Sequence, residues 1–280
     1  MTRRTLPCAV LLSLAFAPAV MLRAASLDFG GAVYSADART AQASGPVSDS
    51  TAAAAGWQEV YPGQMWQKNA ASDAPENTLL IAYAGYSVTE PGAENWAKAL
   101  AGAGKFKYVI AVKGPAQSLY PLGTGNLREM TQANRQLIKK LLTSDISKIV
   151  IAAHSSGNFV AQEMLAMLKG TDILPGKTVY YDLDGGNCVV CRELAKAAPD
   201  FKYTCVGGRQ GGLSSPNFES VKACGPDHFL PMDFNAGCTG AWCLHACLVN
   251  TNAAAIGAFK PSILGYYEDP NISVASDFLK

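Results

Sequence analysis

The chain has 280 residues, 49% of them apolar and 16% charged, with a formal net charge of +1. That length supports one sizeable core and one to two domains. Near-neutral charge without a basic cluster argues against nucleic acid or an anionic membrane surface as the main partner.

Met1-Thr2-Arg3-Arg4 is basic, and Ala9 to Leu22 is an apolar run broken by Ser13 and Pro18, ahead of Ala24-Ala25-Ser26. This pattern reads as an export signal over residues 1–25, because the run is too short and wrongly flanked for a membrane span. A secreted or periplasmic protein is expected, without stable membrane insertion. Beyond Cys8, the cysteines are Cys188, Cys191, Cys205, Cys224, Cys238, Cys243 and Cys247, all in the last third. In an exported chain this odd set predicts a partial disulfide framework pinning C-terminal loops, with one thiol left over.

Residues 26–56, rich in Ala, Ser, Thr, Asp and Gly towards their end, read as an extended low-complexity lead-in to a domain over 57–280. Weak alternation over Trp57 to Gln67 predicts one or two short antiparallel strands. Thr78 to Tyr83 and Phe106 to Val112 read as strands, the first a continuous apolar run buried on both faces. Helical spacing predicts helices at Ala93 to Leu100 and Leu127 to Leu142. Ile149 to Ala152 is a strand that runs through a sharp turn into a helix over Asn158 to Leu168. Strands at Thr178 to Leu183 and Phe201 to Val206 flank a short helix at Cys191 to Ala198. A last strand at Phe229 to Phe234 and a helix within Ala246 to Phe259 complete the pattern. Strand–helix alternation of this kind calls for an α/β fold, a mainly parallel central sheet with helices on both faces.

The turn between strand and helix reads Ala153-His154-Ser155-Ser156-Gly157. It has the form of a G-x-S-x-G nucleophile elbow with Ala in place of the first Gly; small flanking residues are needed because the turn is strained and backbones pass close by. Ser155 is the candidate nucleophile. A serine hydroxyl needs a base to take its proton and an acid to orient that base, here in the chain order Ser, Asp or Glu, His. Of the three histidines, His154 sits inside the elbow and cannot turn back to Ser155. His245, on a loop after the last strand and flanked by cysteines, is preferred to His228 as the base. Tyr180-Tyr181-Asp182-Leu183-Asp184-Gly185-Gly186 ends a strand in two carboxylates, and Asp184 is preferred to Asp182 as the acid. An Asp before Gly-Gly is also a common turn former. For the oxyanion hole, one N–H comes from Ser156 at a helix N-terminus and the other from the loop after an early strand. Tyr86 is the candidate there, with Ala84 and Gly85 as alternatives.

These motifs resemble the α/β-hydrolases, and in several details the secreted lipases of the pancreatic-lipase type. Ala84-Gly85-Tyr86 matches their H-G-F-like oxyanion turn, His154-Ser155-Ser156-Gly157 their H-S-x-G elbow, and Leu183-Asp184-Gly185 their L-D-P-like acid step. Cys243-Leu244-His245 matches their late C-x-H base. The long lid and C-terminal domain of those lipases are missing. The resemblance implies a serine hydrolase that cleaves a small-molecule or lipid ester through an acyl-enzyme, with no cofactor and no metal. The same residues would serve an amidase, a peptidase or an acyltransferase, and the fold with an inert elbow would serve as a secreted binding protein. A zinc set of Cys188, Cys191, Cys243, His245 and Cys247 is a further reading, disfavoured by its spacing.

Overall fold

The computed structural model describes residues 57–61, 65–68, 77–86, 88, 90–114, 146–169, 174–186, 188–235, 237–251, 267, 270–275 and 279. The export signal, the lead-in and the helix expected at Leu127 to Leu142 lie outside them. The described residues fall within one compact unit.

The strands are β1 (Trp57–Tyr61), β2 (Met65–Lys68), β3 (Thr78–Tyr83), β4 (Tyr108–Val112), β5 (Lys148–His154), β6 (Thr178–Leu183), β7 (Lys202–Gln210), β8 (Leu213–Ser214) and β9 (Phe229–Asp233). The helices are α1 (Glu90–Ala103), α2 (Gly157–Leu168), α3 (Val189–Ala197), α4 (Phe218–Lys222) and α5 (Ala241–Cys247). One sheet joins every strand in the order β1-β2-β4-β3-β5-β6-β7-β8, and β9 also pairs with β7. From β4 through β7 all pairs are parallel, as is β7 with β9; β1, β2 and β8 add antiparallel edges.

Every residue of β3 is buried, and so is nearly all of β4 and β5. That explains their continuous Val, Ile, Leu and Ala runs, since a strand covered on both faces has no polar side. Trp96, Ala97 and Leu100 of α1 pack with Leu80, Ala82, Val109, Ala111, Val150 and Ala152 on one face. On the other, Gln162 of α2 donates through Nε2 to the Tyr180 hydroxyl at 3.3 Å. Each fully buried Leu or Ile contributes about 2 kcal/mol by leaving water. This is an α/β fold with helices on both faces.

Three expectations are corrected. The strand read as ending at Val206 continues to Gln210, because Gly207 and Gly208 admit neighbours rather than break the strand: a methyl group at Gly208 would lie 2.9 Å from the Leu244 carbonyl. Helix α5 begins at Ala241, so His245 stands on a helix and not on a loop, and the helix expected within Ala246 to Phe259 lies mostly outside the described residues. Two disulfides form, Cys188–Cys224 and Cys238–Cys243, which leaves three buried thiols, Cys191, Cys205 and Cys247, instead of one. Cys191 and Cys205 serve as small core residues of α3 and β7. Burial pushes the Cys191 thiol up to about 12 and the Cys247 thiol up to about 11, so both stay protonated.

Candidate active site

The chain reverses its sheet-building direction at β3: β4 adds on one side of it and β5 on the other. Open α/β sheets bind ligands outside the carboxyl ends of their strands at such a switch point. The elbow and the loop after β3 meet there. Ser155 follows β5 directly and has φ +55°, a left-handed conformation that costs a non-glycine residue about 1 kcal/mol. Its N–H donates to the Leu183 carbonyl at 3.0 Å, and its own carbonyl accepts from Asn158 N–H at 3.1 Å, tying the turn to β6 and α2. Gly157 cannot carry a side chain, since a Cβ there would lie 2.3 Å from the Ala84 carbonyl oxygen. Ser155 is partly exposed and Ser156 buried.

Asp184 and His245 are brought together. His245 Nδ1 lies 2.6 Å from Asp184 Oδ2, and both side chains are buried. Asp184 stands immediately after β6 at φ +52°. Its other oxygen, Oδ1, accepts from Ser215 Oγ at 2.7 Å, and Asn217 Nδ2 donates to its backbone carbonyl at 2.7 Å. Ser215 is fixed in turn by Gly208, whose N–H donates to Ser215 Oγ at 3.1 Å and whose carbonyl accepts from Ser215 N–H at 2.8 Å. The missing side chain at Gly208 admits the Leu244 carbonyl of α5 and the ring of Phe234. Cys238–Cys243 holds the start of α5 two residues before His245.

The rival residues have other partners. Asp182 accepts from Gly185 N–H at 2.5 Å, Gly186 N–H at 3.1 Å and Asn158 Nδ2 at 3.3 Å, so it closes the turn that carries Asp184. His228 precedes β9, at the amino end of the strands, where it stacks on Tyr203 with ring centroids 3.8 Å apart and donates from Nδ1 to the Tyr203 carbonyl at 3.2 Å. His154 lies beneath the elbow against His245, ring centroids 4.5 Å apart. Burial first, and the neighbouring His245 second, hold its imidazole well below the usual histidine range, so it is neutral. A neutral ring fits its contacts in one tautomer: Nε2–H donates to the His245 carbonyl at 3.3 Å, and Nδ1 accepts from the Tyr267 hydroxyl at 2.8 Å.

The loop after β3 offers three N–H groups near the elbow. Ala84 N–H donates to Val112 O at 2.9 Å, and Gly85 N–H donates to the Tyr267 hydroxyl at 2.9 Å. Tyr86 N–H and Ser156 N–H donate to no group among the described residues. A methyl group at Gly85 would sit 3.1 Å from Ser155 Cβ, so the loop closes directly on the serine. Tyr267 therefore joins this loop to His154, and its ring lies edge-on to Trp96 at 5.3 Å. Tyr267→Phe keeps that ring contact but frees Gly85. The expected result is a loss of about 1–3 kcal/mol of stability, because Gly85 N–H and His154 Nδ1 lose their partner; a thermal melt checks it.

Sequence reading missed Ser215 and Tyr267. Neither carries a local signal, since each is defined only by what distant segments bring to it. The proposed zinc set is not assembled: Cys188 is bonded to Cys224, Cys191 lies in the core near Gln162, and His245 faces Asp184. Among the described residues the sulfurs of Cys238, Cys243 and Cys247 lie within 4.8 Å of one another. The first two are joined in a disulfide, so only Cys247 keeps a thiol as a donor.

No protein-family model matches the chain, and none of the curated proteins does. Among solved structures, a PEG-bound complex of a novel cold-adapted esterase from an Arctic intertidal metagenomic library is similar with a TM-score of 0.34 and 14% identity, over 61% of this chain and 79% of that one. A zinc-bound structure of a novel cold-adapted esterase from an Arctic intertidal metagenomic library is similar with a TM-score of 0.31 and 14% identity, over 61% of this chain and 78% of that one. Likeness at this level leaves the function to the geometry of the site itself.

Proposed function

We propose that the protein is an exported serine hydrolase of the α/β-hydrolase type that cleaves carboxylic esters, with Ser155 as nucleophile, His245 as base and Asp184 as acid. The observation that carries this reading is the buried 2.6 Å contact between His245 Nδ1 and Asp184 Oδ2, beside a serine held at positive φ between strand and helix. The three residues follow β5, β6 and β9 in the chain order Ser, Asp, His.

With Nδ1 engaged by Asp184, Nε2 is the nitrogen that takes the Ser155 proton as Oγ attacks the ester carbonyl. The tetrahedral oxyanion is held by Ser156 N–H, at the positive end of α2, and by Tyr86 N–H. Collapse expels the alcohol, which receives the proton from His245, and leaves an acyl group on Ser155. Water, deprotonated by the same imidazole, then releases the acid. Every atom in this sequence comes from the chain, the ester and water, so the chemistry requires no cofactor. Export is supported by two disulfides and the N-terminal signal pattern. No helix among the described residues is long and apolar enough to cross a membrane.

Purified Ser155→Ala protein is expected to hydrolyse p-nitrophenyl acetate at least about 10⁴-fold more slowly than wild type. Retained turnover in that variant rejects the reading.

A further inference from the structure

The main chain of Asp184 is tied down on both sides of its left-handed turn. Its N–H donates to the Val206 carbonyl of β7 at 2.8 Å, and its carbonyl accepts from Asn217 Nδ2 at 2.7 Å. Those bonds do not aim the carboxyl group, because the last torsion of an aspartate is broad and roughly two-fold. A second device is needed to choose which oxygen meets the base. It comes from the far end of β7, which runs past Val206 to Gln210 and folds back as β8. Ser215 follows β8 directly and is buried. Its N–H donates to the Gly208 carbonyl at 2.8 Å, and its carbonyl accepts from Phe218 N–H at 3.1 Å, so its backbone is held by β7 on one side and α4 on the other.

The hydroxyl of Ser215 has one proton and one place to send it. Gly208 N–H, 3.1 Å away, can only donate, so Oγ accepts there and gives its own proton to Asp184 Oδ1 at 2.7 Å. Oδ1 is thereby engaged, and Oδ2 is left to face His245 Nδ1 at 2.6 Å. We infer that Ser215 is a positioning residue for the reaction, delivered by the β7–β8 hairpin, which turns the Asp184 carboxylate so that Oδ2 meets the base. The inference rests on the Ser155–His245–Asp184 reading and adds to it the group that aims the acid. Ser215 works only through Asp184. Its loss is felt where the imidazolium forms, in kcat, and not in the binding of the ester.

Ser215→Ala removes the donor from Oδ1 and frees the carboxylate to turn. For p-nitrophenyl acetate, kcat is expected to fall by about 10- to 100-fold, the range of one hydrogen bond to a charged group, with KM within about threefold of wild type. The decisive comparison adds Ser215→Ala to Asp184→Asn, where it should cost no more than about twofold beyond Asp184→Asn alone, because the hydroxyl has no other route to the chemistry. A thermal melt shows that each variant is folded at the assay temperature. Should Ser215→Ala fail to fold, Ser215→Cys, whose thiol is a weak donor, takes its place in both comparisons with a smaller fall expected. A kcat for Ser215→Ala within about twofold of wild type overturns the inference, since the carboxylate is then aimed without the hydroxyl. So does a loss in the Asp184→Asn background as large as in wild type, which makes Ser215 a support of the fold at large. Hydrolysis surviving in Ser155→Ala overturns the triad reading itself, so the two failures are distinguishable.

Discussion

Asp184→Asn is expected to lower kcat for ester hydrolysis by about 10⁴-fold while the protein still folds. The Asp184 carboxylate receives two hydrogen bonds at once, from His245 Nδ1 at 2.6 Å and from Ser215 Oγ at 2.7 Å. An amide has the same shape but carries two donor hydrogens on one end. If its NH₂ faces His245, the imidazole must accept at Nδ1 and carry its proton on Nε2, where it can no longer take one from Ser155. If its oxygen faces His245, the imidazolium formed during attack loses its negative partner. The first arrangement removes the base and the second weakens it, and both keep the packing. A turn-forming Asp184 would give another result: activity within about tenfold of wild type, with the change seen mainly in the melting temperature. Saturating kinetics together with a thermal melt separates the two. Asp184→Asn combined with His245→Ala should cost little more than His245→Ala alone, since the two residues act as one unit.

Gly157→Ala is the second large expected effect, and it acts through space rather than charge. The added methyl would lie 2.3 Å from the Ala84 carbonyl oxygen and 2.5 Å from that of Tyr83, both backbone atoms that cannot swing away. Relief requires the elbow and the loop after β3 to separate, which moves Ser155 and the two proposed oxyanion donors apart. The expected cost is about 1–3 kcal/mol of stability. Misplacement of about 1 Å between nucleophile and donors adds a fall in kcat on the order of 10²-fold. A variant with wild-type stability and activity would mean that the elbow tolerates a side chain there, against the close approach described above.

How much of this could be read beforehand follows from whether each signal is local. The elbow was legible because a buried strand, a strained apex and a helix start all leave marks within Ile149 to Leu168. The parallel sheet was legible for the same reason, through apolar runs such as Thr78 to Tyr83. Chain order and the scarcity of histidines point to Asp184 and His245, whose side chains the fold brings within 2.6 Å, whereas the bonds of Asp182 to Gly185 and Gly186 leave no local mark in the sequence. The end of β7 was misread because Gly207-Gly208 looks like a stop; the glycines are there for Phe218 and Leu244, which approach from far along the chain. Helix α5 leaves no helical period in the sequence because Cys238–Cys243 and its packing on β7 hold a seven-residue helix that propensity alone would not. Ser215 and Tyr267 were invisible, since a hydroxyl gains its role only from the partner that folding supplies.

The central claim is that Ser155 is the activated nucleophile. It is tested most directly by reacting the purified protein with a fluorophosphonate probe and locating the adduct by peptide mass spectrometry. One phosphonyl group is expected, bonded to Ser155 Oγ, with labelling lost in Ser155→Ala and strongly slowed in His245→Ala. An unlabelled wild-type protein, or an adduct on Ser156 or another residue, would contradict it.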